Sequence, residues 1–352
     1  MSTLLNWLDE NAESLDADQR AASSLLPRLV SSGAVAVGVP QTYGGAGGSI
    51  ADAIDTVVSV AEQSLTAAFV LWGHRTFIEY VLQSENMALR DWLLSPLLQG
   101  RTAGATGLSN AMKYLSNIEA LQMHATRRGK SFALTGKLPW ITNLRREGFF
   151  AAAAFDHDDG APPSVFAVPH DASGVERGDD LDLIGLRGSN TAALALNNVL
   201  IDEEHRITAD ARNWLVHVRP AFLGLQCGMS IGLARRALRE ASTSCSSRDS
   251  IRAEVDHLEA VLLNQTARLR QGVLDGTFLE RPATMFELRI ELVDTVARAV
   301  ALEVQATGGR GYLRGKGGTA RRVRESSFIP IVTPSLVQLK GQLAQHRMVT
   351  TA

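Results

Sequence analysis

Apolar positions recur at helical spacing in the first hundred residues. Ala21, Leu25, Leu26, Leu29 and Val30 mark one face, which Gly33 ends. VPQTYGGAGGS follows, a Pro/Gly-rich loop that must turn sharply. Ser49 and Asp52 then have the spacing of an N-cap and its reciprocal partner, and predict a helix through IADAIDTVVSVAEQS. A further helix is expected from about Phe77 to Leu98. From Ala103 to Ile207 the period changes. SFALTG, FFAAAAF, SVFAVP and TAALALNNVLI are short β-type runs, separated by turn clusters such as DHDDGAPP and GDDLD. From Trp214 the helical period returns: Met285, Leu288, Leu292, Val296, Ala299 and Leu302 fall on one helix face. The expected order is a helical domain over 1–102, a β domain over 103–207 and a helical domain over 208–352.

Composition narrows the function classes. The chain has 352 residues, 45% of them hydrophobic, so it can bury a large core. A net charge of −2 gives no global pull toward nucleic acid or an anionic membrane. No apolar run reaches membrane-spanning length, and the N-terminal MSTLLNWLDENAE lacks the apolar core of a signal peptide. Cys227 and Cys245 have no metal-ligand spacing and read as reduced thiols of a cytoplasmic protein, so no metal site is expected.

Two stretches stand out for chemistry. TGKLPWITN carries a Gly and a Pro and should bend, yet it sets Trp140 and Thr142 two residues apart. Such a pair serves packing, or docks something flat with a polar edge. QATGGRGYLRGKGGTARRVRE places Gly308, Gly309 and Gly311 beside six cations: Arg310, Arg314, Lys316, Arg321, Arg322 and Arg324. Glycines admit close backbone approach, and cations suit a pyrophosphate. A solvated charged loop has the same composition. The stretch is not a Walker loop, and it follows a helix rather than a strand, so the usual dinucleotide fingerprint is absent.

Taken in order, VPQTYGGAGGS, TGKLPWITN, GLRGSNTAALALNNVLID, EASTSCSSR, QATGGRGY and RRVRE resemble the acyl-CoA dehydrogenase superfamily of flavoproteins over nearly the whole chain. The resemblance implies an α+β fold with an N-terminal helical domain, a middle antiparallel β-barrel or sandwich, and a C-terminal four-helix bundle. It implies FAD. Trp140 would cover the isoalloxazine ring, Thr142 would bond near its reactive edge, and Thr106 would sit near the pyrimidine. Gln305, Gly308 and Gly309 would hold the adenosine half of a neighbouring subunit's FAD, and Arg248 its pyrophosphate. A homodimer or homotetramer follows.

The sequence also departs from that family. Its dehydrogenases remove an α-proton with a Glu in one of two places. The commoner place here holds Thr333, in IVTPS. The other lies on the helix leading to Arg248, and no Asp or Glu occurs from Ala211 through Arg239. The segment TGLSNAMK keeps Thr106 but has Met112 and Lys113 where the family has Ser and Asp. DSIR follows Arg248 where the family has Phe-Gly. Candidate substitutes for the base are His74 and His217, each with a non-catalytic reading: a satisfied helix histidine for His74, a surface position for His217. Lys113 is a candidate to stabilise anionic flavin or bind phosphate. Three readings stand. The first is an oxidoreductase acting on the CH–CH group of an acyl thioester or related substrate, passing electrons to an electron-transfer flavoprotein. The second is a monooxygenase of the same fold, fed by a flavin reductase. The third is a subunit that completes a paralogue's FAD site.

Overall fold

The computed structural model describes residues 1–244, 249–313, 315 and 317–351. Five helices come first: α1 (Ser2–Ala17), α2 (Leu25–Ser31), α3 (Ile50–Ala61), α4 (Leu65–Leu82) and α5 (Met87–Leu98). The cap expected at Ser49 forms. Its hydroxyl accepts from Asp52 N–H while the Asp52 carboxylate accepts from Ser49 N–H, a reciprocal capping box. The single helix expected from Phe77 to Leu98 is two. α4 starts earlier, capped by the Ser64 hydroxyl, and ends at Leu82; Asn86 then caps α5. α4 hid its start because it is buried almost all round and shows no clean apolar face.

The central part is a mixed sheet of eight strands: β1 (Ala103–Thr106), β2 (Met123–Arg128), β3 (Ser131–Ile141), β4 (Phe149–His157), β5 (Ser164–Pro169), β6 (Val175–Asp180), β7 (Ala192–Asp202) and β8 (Arg206–Thr208). The order is β6-β7-β3-β2-β4-β5-β8, with β1 against β4. Most pairings are antiparallel, as expected, but β4 pairs in parallel with both β1 and β2. The helix α6 (Ser109–Leu115) interrupts the sheet after β1.

The third part holds α7 (Ala211–Ser244), α8 (Arg252–Leu274), α9 (Thr277–Glu280), α10 (Pro282–Thr307), α11 (Thr319–Phe328) and α12 (Leu336–Thr351). Met285, Leu288, Leu292, Val296, Ala299 and Leu302 are all buried, so the face read from spacing is the packed face of α10. α10 lies against α7, α8 and α12, while α3 and α4 pack on α7. One core runs through both helical parts; a second sits within the sheet. No described helix is long and apolar enough to cross a membrane.

Candidate active site

TGKLPWI is the second half of β3, bulged twice against β7, and Thr142 and Asn143 form the turn that follows it. The first irregularity brackets Thr135, next to Gly136 at φ 141°. A Cβ there would come within 2.7 Å of the Gln122 carbonyl, so the strand needs the glycine. The second lies between Leu138 and Ile141. Pro139 has no N–H to give a ladder, and the bulge re-aims the residue after it. Trp140 is thereby turned out of the sheet and is 43% exposed. Thr142 ends the segment facing inward, its hydroxyl 2.9 Å from that of Thr191, which in turn lies 2.7 Å from the Ser189 hydroxyl. Asn143 takes a left-handed φ of 63° and locks the corner: its N–H donates to Ser189 O at 3.0 Å and its amide to Gly104 O at 2.9 Å.

A cavity of about 280 Å³ opens in front of this strand. One wall is Pro139, Trp140 and Thr142 from β3 and the turn after it, with Thr106, Ser109 and Lys113 from β1 and α6. The opposite wall is Ile331, Val332 and Thr333 from the chain between α11 and α12. The Thr106 hydroxyl is 2.9 Å from the phenol of buried Tyr80. Ser109 donates its hydroxyl proton to Thr333 Oγ1 at 2.8 Å, bridging the two walls. Lys113 is paired with Glu119 at 3.1 Å, so its charge is partly answered before any ligand arrives. Among the described residues, no carboxylate and no histidine lines the cavity.

The candidate histidines lie elsewhere. His74 is fully buried within α4. Its Nδ1 accepts from Gly104 N–H at 2.9 Å and its Nε2–H donates to Leu97 O at 3.1 Å, so both nitrogens are used. Burial pushes its pKa down to about 4, which keeps the ring neutral. It is a strut between α4, α5 and β1 and does not line the cavity. His217 is exposed on α7 and gives its Nδ1 proton to Asn213 O at 2.9 Å.

The sequence did not reveal what holds Thr333. Gln226 donates to its carbonyl at 3.0 Å, Arg289 Nε donates to Gln226 Oε1 at 2.9 Å, and Arg289 Nη2 donates to Ile329 O at 2.7 Å. Arg289 is 1% exposed, and its Nε and Nη2 bond the Gln226 amide and the Ile329 carbonyl rather than a carboxylate. A buried guanidinium is costly, so its placement on the Ile329 carbonyl and on Gln226 of α7, which itself holds Thr333, is a specific demand of this fold. Only the 3.6 spacing of Arg289 among apolar neighbours hinted at its burial.

Three cations of the basic stretch are structural. Arg322 makes two bonds to buried Glu303, Arg321 pairs with buried Glu325 at 2.9 Å, and Arg324 pairs with Asp16 and Glu13. Those three cations are not free for a pyrophosphate. Arg310 is exposed; Arg248, Arg314 and Lys316 lie outside the described residues, as does Cys245. α10 ends at Thr307, and Gly308 begins a short 3-10 turn that reaches Tyr312. Gln305 and Gly309 lie on the surface, and neither they nor Gly308 line the cavity. Gly311 is there for packing, since a Cβ would press on Thr307 Oγ1. The protomer thus brings Thr106, Trp140, Thr142 and Thr333 together and leaves Gln305, Gly308 and Gly309 apart from them.

No family model matches the chain. A probable acyl-CoA dehydrogenase of Bacillus subtilis (strain 168) is 23% identical over 344 residues, covering 91% of this chain and 88% of that protein. A glutaryl-coenzyme A dehydrogenase in complex with glutaryl-CoA has the same fold at a TM-score of 0.83 and 17% identity, covering 99% of this chain and 94% of that one. PigA with FAD and proline aligns at a TM-score of 0.82 and 16% identity, covering 99% and 97%.

Proposed function

The chain belongs to the acyl-CoA dehydrogenase superfamily, and from that premise we propose that it is an FAD-dependent oxidoreductase acting on the CH–CH group of an acyl thioester or a related substrate. The observation that carries this reading is the exposed indole of Trp140, turned by a bulge onto a cavity that carries the hydroxyls of Thr106, Thr142, Thr333 and Ser109 and the Lys113 amine and is otherwise apolar. That arrangement fits a flat aromatic ring with a polar edge.

FAD, when bound, supplies the hydride acceptor. Trp140 and Pro139 would cover one face of its ring system, and Thr142 and Thr106 would offer hydroxyls to the polar edge. Thr142 is well placed to be held still, because Thr191 and Ser189 fix its hydroxyl from behind. Gln305, Gly308 and Gly309 would serve the adenosine half of a second subunit's FAD. Phe69, Trp72, Phe222 and Val332 add apolar wall to the same cavity and would keep water from the reacting end.

The substrate proton is a separate matter. Thr333 stands where the family resemblance places a Glu, and its hydroxyl is bound by another hydroxyl. Neither group takes an α-proton unaided. The site therefore suits a substrate whose proton is removed without a cavity carboxylate from the described residues.

The test is direct. Purified protein should be yellow or take up FAD, and Trp140→Ala should weaken that binding by about 1–3 kcal/mol through lost ring contact. Anaerobic titration with a panel of acyl-CoAs should then bleach the flavin band for at least one member. No FAD binding at high micromolar concentration removes the reading of the indole wall.

A further inference from the structure

The inner end of the cavity is closed by interlocked rings. Phe69 and Trp72 come from α4, Phe222 from α7 and Phe328 from the end of α11. Phe69 stacks on Trp72 with centroids 5.6 Å apart and planes 9° from parallel. Trp72 meets Phe222 edge to face at 5.4 Å, and Phe69 meets Phe328 the same way at 4.6 Å. Trp72 Nε1–H also donates to the Phe222 carbonyl at 3.3 Å. That bond ties the indole to the neighbouring helix and satisfies its only polar group. Phe69, Trp72 and Phe222 are each at most 5% exposed. A wall tied to two helices by stacking and a hydrogen bond does not swing aside cheaply.

The space in front of that wall is small. Ligand pockets commonly hold roughly 300–1,000 Å³, and this cavity, at about 280 Å³, sits at the lower edge of that range. It is also shared. Trp140 and Thr142 flank one side, where the proposed function seats a flat ring, and only the remainder is left for the reacting group. The back of that remainder is apolar and aromatic, so it offers nothing to a charged or hydrated end.

We propose that Trp72 and Phe222 are the size-selecting residues of this site and restrict it to thioesters with a short acyl part. The inference rests on the thioester reading given above. It does not depend on how the proton is removed.

Calorimetric titration of the FAD-loaded protein with free CoA, butyryl-CoA and octanoyl-CoA tests it. Wild type should bind butyryl-CoA at least tenfold more tightly than octanoyl-CoA. Phe222→Ala should shift that ratio by at least tenfold toward octanoyl-CoA, and Trp72→Leu should shift it in the same direction. Phe222→Leu removes less volume, so it keeps the test open if the alanine variant does not fold; it should give a smaller shift of the same sign. Equal affinity of wild type for both thioesters overturns the proposal, as does an unchanged ratio in variants that still hold FAD. If FAD binds but neither thioester binds more tightly than free CoA, the thioester reading itself falls and the size gate with it.

Discussion

At the scale of the residue, His74 shows how burial decides a role. Its pKa is pushed from the usual 6.5 down to about 4 by desolvation. The unfolded chain takes up a proton below pH 6.5 that the folded chain refuses. Folding stability linked to His74 is therefore fully present above pH 6.5 and is lost progressively as pH falls toward about 4. His74→Phe removes that linkage and leaves Gly104 N–H and Leu97 C=O without a partner. Urea unfolding should show a loss of roughly 2–4 kcal/mol at pH 7, with a flatter decline between pH 6.5 and 4; parallel pH profiles for variant and wild type would defeat the assignment. Thr333 makes the opposite case. Its hydroxyl bridges to Ser109 and carries no charge, so Thr333→Ala should change flavin reduction by the best substrate less than about tenfold, or 1.4 kcal/mol in the barrier. A thousandfold loss with FAD retained would make Thr333 catalytic. Single residues were legible where a family pattern named them, as for Thr106, Trp140 and Thr142, which do meet at one cavity. His74 was ambiguous because a ring satisfied on both sides and a free one look alike in sequence. Arg289 was missed because an arginine in a helical repeat reads as solvated.

At the scale of the element, the period of the apolar positions served well for α10 and for the longer strands, where one face is packed. It failed where burial is all-round, as in α4, and where a strand is broken by bulges, as in β3. Gly136 and Pro139 were read as turn punctuation; in the sheet they produce two bulges instead, and the second is what presents Trp140. The short β1 and β8 gave too few residues for a period to register, and β2 and β6, MHATRR and VERGDD, are too polar to show an apolar alternation. The basic stretch after α10 misled for an electrostatic reason: sequence shows the cations but not the acids that meet them from distant helices. Arg322 and Glu303, 1% and 0% exposed, fasten α11 to α10. Glu303→Gln leaves the guanidinium buried without its counter-charge and should cost roughly 3–5 kcal/mol. Replacing both, as Glu303→Leu with Arg322→Met, should recover most of that in the same unfolding assay. A single variant as stable as wild type would show that the pair adds little to the junction.

At the scale of the whole molecule, the distribution of the proposed FAD-contacting residues has a consequence for assembly. Trp140, Thr142 and Thr106 line one cavity, whereas Gln305, Gly308 and Gly309, at and just after the end of α10, do not line it. A cofactor held by both sets cannot be completed by one chain if the second set faces away from the first. It is completed when a second copy brings its own α10 end to the first copy's cavity, and a two-fold axis then builds two such sites at once. Tyr312 and Leu313, directly after the glycines, are 88% and 53% exposed, which is costly for apolar side chains left in water and reasonable for a surface that a copy covers. The protein should therefore run as a dimer or tetramer in light scattering, and FAD should bind more tightly as protein concentration rises through the assembly range. Gly309→Glu adds bulk and charge where a Cβ would meet nothing within 4 Å in the protomer. It should leave the protomer folded while weakening FAD at least tenfold, since the added carboxylate repels a pyrophosphate-bearing ligand. A monomer that binds FAD tightly, with affinity indifferent to both concentration and Gly309→Glu, would mean that the cavity of one chain suffices and that the end of α10 takes no part.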